Sequence, residues 1–276
     1  MLRERVITGV ILAGGGMFFI LALPTTAIAV AIALICIIAG WEWLGLAGTD
    51  RARIRLTYGC ALVGFTGLTC LLFIRYPALL LLPALVWSVL SAWVIVTRVR
   101  SVTPRTQAGP MLGAVVIVPA LAMVPLLHGS GRQGPTLLLV LCLIVWAGDI
   151  GAYFVGKTWG RIALAPTISP GKTVEGTLGG VLAGTAVGSI AWLLLVEVDL
   201  GLVALAATVA LVATVSVVGD LVESMVKRAG GRKDSGHILP GHGGVLDRID
   251  SFLSALPIYA LAVTLWAPDT LTLLER

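Results

Sequence analysis

Charged side chains are scarce in this chain of 276 residues. Asp, Glu, Lys and Arg make up 12% of it, against roughly 25% in soluble proteins. Apolar residues stand at 58% and the mean hydropathy is +1.02, so polar side chains are too few to cover a water-soluble surface. The length alone would suggest one or two soluble domains at about 150 residues each; the composition excludes them and points to a bilayer. Cysteine is scarce too. Cys36, Cys60, Cys70 and Cys142 all lie inside apolar runs and form no C-x-x-C pair. Neither a disulfide framework nor a thiolate metal site is indicated, and all four read as small packing residues.

What the chain has is one long apolar run after another. The candidates are roughly 7–23, 26–46, 56–74, 77–96, 110–127, 135–155, 174–196, 201–223 and 251–267. Each is near the ~20 residues that a helix needs to cross hydrocarbon, and none is a ~10-residue alternating segment of the β-barrel kind. The expectation is an all-α, polytopic integral membrane protein of about nine transmembrane helices. Residues 1–130 form an N-terminal transmembrane region. Residues 131–276 form a C-terminal catalytic region with the loop 227–250, the two making one continuous membrane domain. The start of the chain, with Ala27-Ile28-Ala29 after an apolar run, also has the look of a cleavable signal sequence. A second apolar run follows at once, and we read the first as a span.

The bases then orient the spans. With the N-terminus in the cytoplasm, only Arg75, Arg132 and Arg276 fall outside, and the other sixteen of the 19 Lys and Arg residues fall inside. That is a strong positive-inside signal, with the N-terminus in and the C-terminus out. A net charge of +5 in a soluble protein would hint at nucleic acid; sorted by side it orients helices, and no nucleic-acid partner is expected.

The acids of the C-terminal half gather at the cytoplasmic side. Asp149 lies toward the end of the sixth span, Glu175 opens the seventh, and Asp220 and Glu223 lie toward the end of the eighth. An acid inside a span needs a cation, a base or a water-filled cavity beside it. Asp220, Glu223, Ser224 and Lys227 stand at i, i+3, i+4 and i+7, one face of a helix. Asp247 and Asp250 share a face in the same way if the chain after Gly244 is helical. Between them runs a loop with Gly230, Gly231, Gly241, Gly243 and Gly244 and with Lys227, Arg228, Arg232, Lys233, Asp234 and Arg248. The glycines let backbone N–H groups approach anionic oxygens, the bases neutralise phosphate, and Asp220 and Asp247 are hard oxygen ligands suited to Mg²⁺. Bases for phosphate beside acids for a metal suit phosphoryl or nucleotidyl transfer.

Three further features read less specifically. Gly171-Lys172-Thr173 has the tail of a P-loop, but Pro166 stands where its first glycine belongs and no strand is expected before it; Lys172 is still a candidate phosphate ligand. His242, between glycines in the charged loop, can donate to phosphate or move a proton, while His128 lies on the opposite side. Glycines at 176, 180, 184 and 188 give the seventh span a close-packing face, within a subunit or between two.

Ser224-x-x-Lys227-Arg228-x₄-Lys233-Asp234-x-Gly236-x-x-Leu239-Pro240-x-His242-Gly243-Gly244-x-x-Asp247-Arg248-x-Asp250 closely resembles the signature of the phosphatidate cytidylyltransferases, the CDP-diacylglycerol synthases, with every fixed position filled. Asp149-x-x-Ala152-Tyr153-x-x-Gly156 and Ser169-Pro170-x-Lys172-Thr173-x-Glu175-Gly176 resemble the family as well. They depart from it at Lys157, where Arg is common, and at Gly171, where a base is frequent. In the N-terminal half the likeness is carried by hydropathy and by Trp41-Glu42.

The resemblance implies transfer of CMP from CTP to phosphatidate, giving CDP-diacylglycerol and pyrophosphate at the cytoplasmic face of a bacterial inner membrane. It implies Mg²⁺ on Asp220 and Asp247, with a second, monovalent cation such as K⁺ beside it. Catalytic positions would be Asp220, Lys227, Arg228, Lys233, Asp234, His242, Asp247, Arg248 and Asp250. Substrates would be bound by Asp149, Lys172, Glu175, Glu223, Ser224, Gly241, Gly243 and Gly244. The partners expected are CTP, phosphatidate, membrane lipid and a second copy in a homodimer. Two alternatives stay open. One is another CTP-using membrane lipid enzyme, although the D-G-x-x-A-R element of the CDP-alcohol phosphotransferases is absent. The other is a transporter of an anionic metabolite, which would call for polar groups near mid-bilayer and often inverted repeats.

Overall fold

The computed structural model describes residues 13–100, 109–197, 200–238 and 243–266. After a short apolar helix α1 (Ala13–Ala22) come α2 (Thr25–Leu46), α3 (Ala52–Arg75), α4 (Leu81–Arg100), α5 (Pro110–His128) and α6 (Gly134–Trp159). A hairpin of β1 (Ala163–Ala165) and β2 (Ser169–Thr173) leads into α7 (Val174–Leu195), α8 (Leu202–Ala229) and α9 (Leu246–Trp266). Among the described residues, eight helices are long and apolar enough to cross a membrane. Side chains such as Leu34, Phe65, Leu85, Val89 and Leu182 stand exposed on them. In water that would be an aggregation hazard; against lipid it is the ordinary outer face of a multi-pass membrane protein. The first expected span, 7–23, is described only over its second half.

Two of the helices run past their expected ends, and this matters for the site. At 1.5 Å per residue, the 28 residues of α8 reach about 42 Å, longer than the ~30 Å hydrocarbon core. The stripe Asp220–Lys227 therefore stays helical to its end. Helix α9 begins at Leu246 rather than near 251, so Asp247 falls in its first turn and Asp250, three residues on, lies one turn further along the helix.

Helices α6 and α7 form the most extensive packed pair, α8 packs along α9, and α2, α3 and α5 cluster together. Helix α9 touches α2, α4 and α5, joining that cluster to the C-terminal helices. The α6–α7 contact explains the glycine repeat. Gly176, Gly180, Gly184 and Gly188 are buried. A Cβ on Gly180 would sit 2.7 Å from the Gly148 carbonyl oxygen, and one on Gly184 2.8 Å from that of Ile144. The glycine face is thus spent inside the subunit, so it gives no support to a dimer.

The two short strands pair antiparallel, Ala163 with Thr173 and Ala165 with Ser169. No strand was expected before Gly171-Lys172-Thr173, yet β1 is there. A P-loop is still absent: Lys172 lies within β2, and Pro166 stands where the first glycine belongs.

Backbone against backbone cannot yield, so Gly184→Val should be strongly destabilising, by about 1–3 kcal/mol or more. A Cβ on Gly64, within α3, meets nothing within 4 Å, and Gly64→Ala should be neutral or slightly stabilising by helix propensity. Melting of the two purified variants in detergent tests the contrast.

Candidate active site

The helical stripe and the start of α9 meet. Single carboxylate oxygens of Asp220, Glu223 and Asp250 lie within 4.8 Å of one another, an arrangement able to hold a metal ion. Glu223 is 3% exposed. Its Oε2 accepts from Lys227 Nζ at 2.6 Å, while Oε1 is buried with no hydrogen-bond partner. A buried carboxylate oxygen left over in this way is expensive unless a cation meets it. Ser224 Oγ donates to Asp220 Oδ1 at 3.2 Å. Lys227 also donates to Asp247 Oδ1 at 2.7 Å. The metal pair implied by the resemblance is therefore divided here: Asp220 belongs to the acidic cluster, and Asp247 stands on the other side of the Lys227 ammonium. Four carboxyl groups, those of Asp220, Glu223, Asp247 and Asp250, face two ammonium groups, those of Lys172 and Lys227.

Asp220 also lines a cavity of about 380 Å³ between α6, α7 and α8, with Asp149, Lys172, Thr173, Thr177 and Ser216. Lys172 makes an ion pair with Asp220. The hairpin holds the lysine there. Thr173 caps α7, its Oγ1 accepting from the Gly176 N–H at 3.1 Å, which is the usual service of a threonine at a helix start. Glu175 folds back onto the chain before β1, accepting from the N–H groups of Arg161 (3.1 Å) and Ile162 (3.2 Å). It braces the hairpin rather than lining the cavity. A larger cavity of about 550 Å³ lies around Arg53 and Tyr58 between α2, α3 and α5. Among the described residues its lining holds no carboxylate.

The loop after α8 is drawn toward the hairpin. Arg228 Nε donates to the Ile168 carbonyl at 3.2 Å and Nη1 to that of Arg232 at 3.3 Å. Arg232, Lys233, Asp234, His237 and Arg248 are exposed, free to meet a solution ligand. Gly231 and Gly243 have φ of +67° and +79°, where a side chain would be strained. Gly244 does something other than receive phosphate: its N–H donates to Asp247 Oδ2 at 2.8 Å. Gly241 and His242 lie outside the described residues. His128 is spent far away, its ring nitrogens 2.9 Å from Thr25 Oγ1 and the Ile20 carbonyl.

Sequence reasoning left two residues of this region without a role. Ser235, 2% exposed, gives its N–H to Asp247 Oδ2 at 2.9 Å, with Oγ also 2.9 Å away. Glu42, 1% exposed, reaches from α2 to the start of α9, where the N–H groups of Val245 and Leu246 donate to it at 3.0 and 2.7 Å. The signal for Glu42 was available: it is the one charged residue between 26 and 46.

A family model described as the Cytidylyltransferase family matches residues 3–266. The chain is 40% identical to a phosphatidate cytidylyltransferase of Pseudomonas aeruginosa over 275 residues, covering 97% of this chain and 98% of that one. It is 32% identical to one of Haemophilus influenzae over 288 residues, covering 94% and 98%. A Bacillus subtilis phosphatidate cytidylyltransferase is 41% identical over 136 residues, about half of each chain. With its lysine-lined cavity, its acidic cluster and this likeness along nearly its whole length, the chain belongs to the cytidylyltransferase family.

Proposed function

We propose that this chain is a nucleotidyltransferase that moves CMP from CTP to phosphatidate, giving CDP-diacylglycerol and pyrophosphate. The observation that carries the reading is the meeting, at Asp220, of an acidic cluster with a cavity that a lysine lines. One substrate is a lipid phosphate and the other a triphosphate from solution, so the site needs both a berth between helices and an exposed basic loop.

An oxygen of the phosphatidate phosphate attacks the α-phosphorus of CTP. A phosphorus–oxygen bond forms there as the bond to the β-phosphate oxygen breaks, and pyrophosphate leaves with that electron pair. A phosphate monoester is already largely ionised near neutral pH, so no strong general base is required. Lys172, with the Thr173 hydroxyl beside it, would orient the lipid phosphate. Lys227, Arg228, Lys233 and Arg248 would offset charge on the triphosphate and on the leaving pyrophosphate, with Asp234, Gly241 and His242 completing the loop around it. Asp220, Glu223 and Asp250 would hold Mg²⁺, Asp247 standing beside them across Lys227. The unpartnered Glu223 Oε1 and the excess of carboxylates over ammoniums fit a divalent ion. When bound, the ion supplies neutralisation of phosphate oxygens. A monovalent cation such as K⁺ beside it is part of the same reading.

The location proposed is a bacterial inner membrane with the site on its cytoplasmic face. A homodimer, if formed through α7, would use the outer face of that helix, where Leu178, Leu182 and Leu194 are exposed.

Release of pyrophosphate from CTP that depends on phosphatidate tests the reaction; a kinase would release CDP, and a transporter neither. Asp220→Asn or Asp247→Asn keeps the shape and should lower turnover by at least ~100-fold, the equivalent of a few kcal/mol at the transition state. Near-normal turnover of Asp220→Asn at saturating Mg²⁺, with and without K⁺, overturns the metal assignment, and near-normal turnover of Asp247→Asn removes Asp247 from the site. Lys172→Met should raise the KM for phosphatidate by about tenfold while that for CTP changes little; equal effects on the two substrates would remove Lys172 from the lipid berth. A phosphatase reporter active only outside the cell should be silent when fused after Lys233 and active when fused after Arg132, and the reverse pattern overturns the orientation.

A further inference from the structure

The carboxylate of Glu42 enters the region from α2, more than 190 residues away in sequence from the groups that it meets. Those groups are the Val245 and Leu246 N–H groups and Ser235 Oγ, the last 3.1 Å away. The first N–H groups of a helix have no partner within it, and α9 starts at Leu246. Asp247, the next residue, is the other carboxylate at this helix start. Its Oδ2 accepts from the N–H groups of Ser235 and Gly244, while Oδ1 turns to Lys227. The Ser235 hydroxyl has one proton to give and stands between Glu42 Oε2 and Asp247 Oδ2, tying the two acids to one point. Glycines make the room: a Cβ on Gly236 would come 2.5 Å from Glu42 Oε1, and one on Gly244 2.5 Å from Oε2.

We propose that Glu42 is a positioning residue for the transfer site: by taking the Val245 and Leu246 N–H groups, it leaves Asp247 Oδ2 to the Ser235 and Gly244 N–H groups and Asp247 Oδ1 turned toward Lys227. The role rests on the reaction proposed above. It requires both oxygens of Glu42 to be acceptors, since each takes one N–H. Glutamine has the same outline but offers an NH₂ in place of one oxygen. One N–H at the start of α9 then faces another donor, and the Asp247 carboxylate, already bonded to the neighbouring Gly244 N–H, can be drawn to it. Polar groups that orient a reacting group from behind typically change activity by about 10–100-fold when removed.

The test uses the full chain in detergent, with pyrophosphate release from CTP and phosphatidate as the readout and thermal melting of the same samples beside it. Glu42→Gln should lower kcat by at least ~10-fold in protein that remains folded, and leave the KM for phosphatidate within ~2-fold, because Lys172 and its cavity are not tied to Glu42. Gly236→Ala, which crowds the carboxylate without removing it, should act in the same direction. On an Asp247→Asn background, Glu42→Gln should cost less than ~3-fold more, since its effect passes through Asp247. A folded Glu42→Gln variant with the parent's kcat overturns the role. So does a melting point that falls with no change in the turnover of the folded protein, or a full multiplicative loss on the Asp247→Asn background. A parent chain that releases no pyrophosphate overturns the reaction itself, a result read without any variant.

Discussion

Carboxylates set into apolar helices must be matched by positive charge or donors before any fold around them is stable, and the C-terminal part of this molecule is arranged by that need. Lys227 lies between Glu223 and Asp247 and so fastens the end of α8 to the start of α9. Lys172 comes from a different element altogether, the hairpin, to meet Asp220. Arg228 reaches the same hairpin from the end of α8 through the Ile168 carbonyl. Two helices and a hairpin are thereby cross-braced by charge where apolar packing alone would leave them free to slide. The groups that neutralise the acids are also of the kind a phosphate would seek.

Close helix packing decides where the hairpin can be. Helices α6 and α7 meet with glycine Cα against carbonyl oxygen along much of their length, and the chain that joins them has to turn back sharply. It does so as a short ladder capped by Thr173 and latched by Glu175. Gly148, Gly156, Gly176 and Gly180 also border the cavity beside Asp220. The close contact of these two helices thus forms one wall of the site.

Much of this was legible in the residues themselves. Apolar runs of ~20 residues located the eight described spans, because hydrocarbon thickness imposes length on any helix that crosses it. The stripe Asp220–Lys227 was legible because 3.6-residue periodicity makes i, i+3, i+4 and i+7 neighbours whatever the surroundings. The hairpin was not: strands of three and five residues in a stretch rich in Gly, Pro and Thr carry no periodic signal. The partner of Glu42 was not either, since no local rule connects α2 to the start of α9. Gly244 was read as an approach for phosphate, and the structure gives its N–H to Asp247 and its open side to Glu42. A glycine announces that something comes close without saying what. The grouping of Asp220 with Glu223 and Asp250, and apart from Asp247, depends on side-chain directions that spacing along one helix does not carry.

The reach of α2 to α9 bears on how such a protein can be divided. Every residue of the long signature lies in the C-terminal half, and a segment cut at about residue 131 would look self-sufficient in any alignment of motifs. It would nonetheless leave the Val245 and Leu246 N–H groups facing an empty place, with Gly236 and Gly244 shaped around a side chain that had gone. The motif-bearing half is therefore not a portable module. A lesion far upstream, in a stretch that reads as plain membrane anchor, would be felt at the start of α9.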